Sequence, residues 1–356
     1  MGLKDLLKYY KGKKVLITGH TGFKGSWLSY WLNEIGAEVF GYSLKPNKKL
    51  NHFDILKMEL KSCYSNICNL KRLKEFIDET KPEIIFHLAA QPLVRQSYKD
   101  PIETYKTNVI GTANLLDVIK ENSSVKAIVV ITTDKCYKNL NQTNGYIESD
   151  ILGGYDPYSS SKASVELLVS SFRDSFFNLN EYGKKHQVLI STARAGNIIG
   201  GGDWSDDRLI PDLVKNANNG GITKIRYPDA TRPWQHVLDP LSGYLILGEK
   251  LLKGETEFSG AWNFGPEEFD VLTVNELVIQ CKKIWNNINF EIQKNPNELH
   301  EANLLSLNIN KAKHFLNWKP MWNSTLAIQK TIEWYKKFHN SNVVLTNTQL
   351  KEYIEG

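Results

Sequence analysis

Long hydrophobic runs are missing from this sequence. Its longest apolar stretches, such as Ile128 to Ile131 and Val188 to Ile190, have the length of a β-strand. They fall far short of the roughly 20 residues that a membrane span needs. Cysteine is scarce too: Cys63, Cys68, Cys136 and Cys281 show no CxxC spacing and no companion histidine cluster. That argues against a zinc site or a disulfide framework and for reduced thiols. No long basic run accompanies the net charge of +5, so the lysines read as a solvated surface and not as a nucleic-acid face. The amino terminus, Met1 to Lys14, is lysine-rich but lacks the apolar core and cleavage site of a secretory signal. The expectation is a cytoplasmic protein with no metal, no membrane association and no nucleic-acid partner.

What is present is an alternation. Short β-branched segments (Lys14 to Thr18, Val39 to Leu44, Ile84 to Ala89, Ala127 to Thr132, Val188 to Thr192) are separated by stretches with apolar residues three to four apart (Gly25 to Gly36, Leu70 to Glu79, Ile102 to Glu121, Tyr158 to Phe177). Strand and helix periods in turn are the mark of βαβ units, so the fold class is α/β with a Rossmann-type doubly wound parallel sheet. After Asn197 the pattern loosens into Gly-rich and Trp-containing sequence, read as a smaller C-terminal substrate-binding domain. The expected division is 1–195 for the dinucleotide-binding domain, 196–340 mainly for substrate, and 341–356 for a loosely docked tail. A strand near Gly260 to Phe264 could return to the first sheet.

Strand-like Lys14 to Thr18 runs directly into Gly19-His20-Thr21-Gly22-Phe23-Lys24-Gly25 and then a helix. Backbone N–H groups at such a turn can hold a pyrophosphate, and the missing Cβ atoms let it approach. The spacing is GxxGxxG. No Asp or Glu follows the second strand at Gly41-Tyr42-Ser43-Leu44-Lys45, so this position leaves NAD and NADP open; Lys45 could meet a 2′-phosphate or be an exposed loop lysine.

Two further segments carry chemistry. Tyr158-Ser159-Ser160-Ser161-Lys162 opens a helix with Tyr158 and Lys162 four apart on one face. An ammonium beside a phenol, together with an oxidised nicotinamide, would favour the phenolate and make Tyr158 a base. Thr132-Thr133-Asp134-Lys135-Cys136-Tyr137 lies at the carboxyl end of a strand, where ligands bind in open α/β sheets. Thr133 is a candidate substrate contact, and Asp134 with Lys135 offers an acid and a base that hydride transfer alone would not require.

These segments, with His87-Leu88-Ala89-Ala90-Gln91-Pro92-Leu93-Val94-Arg95, Arg194-Ala195-Gly196-Asn197, Gly200-Gly201-Gly202-Asp203-Trp204 and Arg232-Pro233-Trp234-Gln235-His236-Val237, resemble the CDP-glucose 4,6-dehydratase family of extended short-chain dehydrogenase/reductases. The likeness runs from about residue 13 to residue 325. Sibling dehydratases carry Asp-Glu where this chain has Asp134-Lys135. The resemblance implies NAD as cofactor and CDP-glucose as substrate. It implies an active-site set of Thr133, Asp134, Lys135, Tyr158 and Lys162. Gly19, Thr21, Gly22, Phe23, Lys24 and Gly25 would line the pyrophosphate, Leu88, Ala89 and Ala90 the rest of the dinucleotide, and Asn66-Ile67 the adenine. Gln91, Thr133, Arg194 and Asn197 would contact the nucleotide sugar, with Arg208 and Arg232 as clamps for its diphosphate. His87 and His236 read as packing residues. A homodimer or homotetramer, packed through helices near 102–121 and 158–177, and a product feeding 3,6-dideoxy sugars of surface polysaccharide are also implied. A 4-epimerase of the same fold has no need of the Asp134-Lys135 pair, and a non-catalytic NAD-sensing regulator would tolerate loss of Tyr158 or Lys162.

Overall fold

In Lys14–Thr18 (β1), Val15 and Ile17 turn to one face and Leu16 to the other, the two-residue period of a strand. A computed structural model, which describes residues 8–46, 50–142, 144–293 and 305–356, places this strand inside a seven-stranded parallel sheet. The others are Glu38–Ser43 (β2), Lys61–Tyr64 (β3), Ile84–His87 (β4), Ala127–Ile131 (β5), Leu189–Ala195 (β6) and Ala261–Phe264 (β7), in the order β7-β6-β5-β4-β1-β2-β3. The chain reverses its direction of travel between β1 and β4, so a crevice opens there at the carboxyl ends of the strands. Both faces are covered, as parallel sheets require. Val15, Ile17, Phe86 and Val129 enter one cluster with Trp27 and Trp31; Leu16, Ile85, Ile128 and Val130 enter another with Phe76, Leu115 and Val165.

The helices that matter for the site are Phe23–Glu34 (α1), Gly111–Lys120 (α2), Pro157–Ser175 (α3), Leu209–Asn219 (α4), Leu238–Leu252 (α5), Ser324–Ser341 (α6) and Thr346–Glu355 (α7). Sequence sets their starts. Asp156 caps α3 by accepting from Ser159 N at 2.9 Å, and Pro157 occupies the first turn, where its missing N–H costs nothing. Residues between 196 and 340 add three two-stranded pairs: Ile198–Ile199 with Gln235–His236, Thr231–Arg232 with Leu272–Thr273, and Thr223–Ile225 with Phe290–Ile292. From that same region β7 returns to the main sheet beside β6, with Trp262 opposite Ala193.

Three local features differ from expectation. The helix expected over 102–121 is broken into Pro101–Tyr105, a π turn at Lys106–Ile110, and α2. In the widened turn Asn108 accepts from Gln91 N at 2.8 Å and donates to Ser161 Oγ at 2.8 Å, tying the loop after β4 to α3. Strand β3 carries no apolar run, because it is an edge strand held only by β2. The tail after Asn340 is not loosely docked: Thr346, Gln349, Leu350 and Tyr353, at spacings of three and four, bury one stripe of α7. Tyr353 donates to Asp239 Oδ1 at 2.8 Å, and Thr346 Oγ1 lies 2.9 Å from His52 Nε2. A polar average concealed that stripe.

Candidate active site

The turn after β1 closes only because Gly19 and Gly25 carry no Cβ. Gly19 has φ +76°, and a Cβ there would meet Ala89 N at 2.8 Å and Leu88 C at 2.9 Å. A Cβ on Gly25 would drive into Gly19 O, and Gly22 N donates to that same oxygen at 3.0 Å. Gly22 offers no side-chain cap, so first-turn N–H groups of α1 are left for an anion. Thr21 sends its hydroxyl to Ser43 Oγ (2.7 Å) and Leu44 O (3.0 Å), which leaves its backbone as its part of the turn. Leu88 and Ala89 follow β4 beside it, donating to Thr18 O (3.0 Å) and Thr18 Oγ1 (3.2 Å). Asn66 and Ile67 follow β3: Asn66 Oδ1 accepts from Cys68 N at 2.8 Å, and Ile67 is buried. His20 and His87 are packing residues. Burial holds them neutral, with pKa values near 4 and 3, and they bond Ser62 Oγ and Thr18 Oγ1.

At the carboxyl end of β5 the backbone turns sharply through Asp134–Cys136. Thr133 Oγ1 donates to Asp134 Oδ1 at 2.8 Å. Asp134 is buried, and Asn197, at φ +50°, directs its amide toward Asp134 Oδ2 at 3.5 Å. Lys162, one turn after Tyr158 on α3, donates to Ile131 O at 3.1 Å. Burial lowers its pKa to about 8, against the pull of Glu166. The expectation that an adjacent ammonium favours the phenolate is not met by the chain alone. Burial pushes Tyr158 up to about 12, against the lowering effect of Thr133 and Arg208.

These groups, Lys162 excepted, share a cavity of about 860 Å³, lined from Lys24, Thr133, Asp134, Lys135 and Tyr158 through Asn197 to Arg208 and Arg232. Arg208 donates to Asp203 Oδ2 at 3.2 Å, and Arg232 to Thr231 O at 2.8 Å. Lys24 leaves the Gly-rich turn to line the same cavity. Burial and the charges of Lys162 and Arg208 bring it down to about 7. Among the described residues no cluster of three metal-binding side chains exists.

Two expected substrate contacts are elsewhere. Arg194 is buried within β6; its guanidinium pairs with Glu166 at 2.9 Å and donates to Tyr137 Oη and Glu148 O, so none of it faces the cavity. Gln91 spends both ends of its amide on Leu93 and Thr104, shaping its own loop. Sequence reasoning passed over Glu166, which accepts from Thr132 and Thr192 behind the active-site loop. Its position four residues after Lys162, on one helix face, was the available signal. It also passed over Arg95 and Asp207, which meet at 3.7 Å on the cavity wall.

The model of the family described as GDP-mannose 4,6 dehydratase matches residues 16–331. The chain belongs to that family. Among relatives of the dehydratase family, the chain is 44% identical to the CDP-glucose 4,6-dehydratase of Salmonella typhimurium over 98% of both chains. It is 30% identical to the dTDP-D-glucose 4,6-dehydratase of Dictyostelium discoideum, over 75% of this chain and 62% of that one. The fold recurs in the solved dTDP-glucose 4,6-dehydratase of Bacillus anthracis in complex with NAD (TM-score 0.76, 24% identity, 93% of this chain and 98% of that one). It also recurs in an epimerase of Methanothermobacter thermautotrophicus (TM-score 0.79, 21% identity, 98% and 97%).

Proposed function

We propose that this chain is an NAD-dependent CDP-glucose 4,6-dehydratase, converting CDP-D-glucose to CDP-4-keto-6-deoxy-D-glucose and water. The carrying observation is that a phenol, a carboxyl and a lysine (Tyr158, Asp134, Lys135) line one cavity beside the Gly-rich turn. The chain that brings them together is alike over nearly its whole length to the Salmonella CDP-glucose 4,6-dehydratase.

The cradle at Gly19 and Gly25, which a Cβ would fill, suits a dinucleotide pyrophosphate. Gly19, Thr21, Gly22, Phe23, Lys24 and Gly25 would hold it, with Leu88, Ala89, Ala90, Asn66 and Ile67 along the remainder. Bound there, NAD supplies a reversible hydride acceptor. Residues 1–195 would carry this function and residues 196–340 mainly the nucleotide sugar, with Arg208 and Arg232 on the diphosphate.

Oxidation at C4 has to come first, since only the ketone makes the C5 hydrogen acidic enough for elimination. Tyr158 Oη, as the phenolate that Lys162 and an oxidised nicotinamide would favour, takes the C4 hydroxyl proton, with Thr133 beside it on the cavity wall. Asp134, held between Thr133 and Asn197, gives a proton to the departing C6 oxygen. Lys135 Nζ, in its neutral form, receives the C5 proton. A homodimer or homotetramer is supported by Ile102, Leu167 and Phe176, which stay 76%, 61% and 50% exposed on the helices expected to pair. Among the described residues no helix is long and apolar enough to cross a membrane.

The test is to mix the purified protein and NAD with CDP-glucose carrying deuterium at C4. A keto sugar with deuterium at C6, formed without a stoichiometric oxidant, is the expected result. A 4-epimerised hexose, or extensive scrambling between labelled and unlabelled molecules, contradicts the reading.

A further inference from the structure

His52 takes no part in the proposed chemistry, yet it is locked in place. It opens a short helix, His52–Leu56, after β2, and is 1% exposed. Trp27 and Trp334 pack on its ring at centroid distances of 5.1 and 5.7 Å, and a Cβ on Gly202 would meet its Cδ2 at 2.5 Å.

Both ring nitrogens are engaged. Nδ1 lies 2.8 Å from Ser26 Oγ in α1, and Nε2 lies 2.9 Å from Thr346 Oγ1, on the first residue of α7. The directions follow from the far end. Trp334 Nε1, which can only donate, gives its hydrogen to Thr346 Oγ1 at 3.0 Å. The Thr346 proton then goes to His52 Nε2, because the opposite tautomer would leave this buried hydroxyl without an acceptor among the described residues. Burial holds the imidazole neutral, with a pKa of about 3, so its one proton sits on Nδ1 and points to Ser26 Oγ. Ser26 in turn donates to Phe23 O at 2.8 Å. A one-way chain of hydrogen bonds thus runs from α6 and α7 into the first turn of α1.

Phe23 O and the Lys24 N–H belong to one planar peptide unit, so a bond to the oxygen fixes where the N–H points and strengthens it as a donor. That N–H is one of the first-turn groups of α1 that have no partner within the helix. The neighbouring Asn51 holds an earlier peptide of the same turn. Its Nδ2 donates to Thr21 O at 3.0 Å, while Gly22 N, on the other edge of that plane, donates to Gly19 O at 3.0 Å.

We propose that His52 is a positioning residue of the cofactor site: oriented by Thr346 of α7, it holds Ser26 on Phe23 O and so aims the Lys24 N–H at the dinucleotide pyrophosphate. The C-terminal helix thereby sets the affinity for NAD without touching it. This rests on the reading of the Gly-rich turn as the seat of NAD.

The test uses Thr346→Val, which removes the hydroxyl at nearly constant volume, and Thr346→Ser, which keeps it. NAD and CDP affinities of the full-length protein are measured by calorimetry beside urea unfolding. Thr346→Val should bind NAD roughly tenfold more weakly and CDP as wild type does, while Thr346→Ser restores NAD binding. Ser26→Ala breaks the chain at its other end and carries the same expectation should Thr346→Val not fold. Joined to Thr346→Val it should add little, since both remove one connection. A Thr346→Val protein that is less stable but binds NAD like wild type makes His52 a packing residue and overturns the proposal, as do effects of the two variants that simply add. Wild-type protein that fails to bind NAD overturns the cofactor reading as well.

Discussion

The carboxylate of Asp134 fills the space in front of Gly196 where a β-carbon would stand: a Cβ built there falls on Asp134 Oδ2, Cγ and Oδ1. Glycine at 196 is therefore a requirement of the acid beside it. Gly196→Ala should displace Asp134 while leaving the Gly-rich turn intact. A shift of about 1 Å in a catalytic group can cost roughly 100-fold in rate. We expect kcat to fall by about that factor, with NAD and CDP affinities close to wild type by calorimetry. Unchanged kcat would show that the acid's position is not critical.

Behind the active-site loop, Glu166 and Arg194 form a buried ion pair, with side chains 3% and 4% exposed. Burial disfavours the Glu166 charge, yet Arg194 and the bonds from Thr132 and Thr192 hold its pKa below the usual carboxylate range. Removing one partner leaves an uncompensated charge, at a cost of about 3–5 kcal/mol. Arg194→Met should lower the unfolding free energy by that amount in urea titrations, and Arg194→Met with Glu166→Gln should recover part of it. If the double variant is no more stable than the single one, the pair is not coupled in this way.

Stability should fall steeply in mild acid. Burial holds His20 near pKa 4 and His52, His87 and His236 near 3, against 6.5 in the unfolded chain. Folding with a depressed histidine pKa is favoured above pH 6.5, and that contribution is lost as pH drops, by about 2 kcal/mol per imidazole at pH 5. Asp239 works the other way. Burial raises it to about 7 from 3.8, so its contribution is complete below pH 3.8 and is lost as pH rises through 7. Its Oδ2 has no partner, the place for the retained proton, while Oδ1 accepts from Tyr353 and Met321 N. Unfolding at pH 5 should thus take up about three protons net, readable from the pH dependence of urea unfolding. A flat profile between pH 5 and 7 would contradict buried neutral imidazoles.

Much of this architecture was legible in the chain. Lys14–Thr18 and Ala127–Ile131 are apolar enough to announce buried parallel strands, and the glycines after β1 announce a turn without Cβ atoms. What escaped was whatever depends on partners distant in sequence. Strand β3 is visible only through its pairing with β2, and α7 only through the buried Asp239 and His52 it covers. Arg194 looks the same in sequence whether it clamps a phosphate or satisfies Glu166. Gly196 reads as a turn glycine, because its neighbour Asp134 is 62 positions away.

The hardest position to assign is Lys135, where sibling dehydratases resemble one another in carrying a glutamate. It lines the cavity, and its backbone N donates to Thr133 Oγ1 at 3.4 Å, next to the acid. A carboxylate accepts a C5 proton readily, whereas a lysine must first be neutral. Lys135→Met should therefore still oxidise C4 and accumulate enzyme-bound 4-ketoglucose nucleotide, then stall before water is lost. Tyr158→Phe should fail earlier, at removal of the C4 hydroxyl proton. Rapid-quench analysis of bound sugars separates the two: 4-keto-hexose for the lysine variant and unreacted hexose for the tyrosine variant. Near-wild-type dehydration by Lys135→Met would remove this side chain from the base role and leave Tyr158 or a bound water to carry the C5 proton.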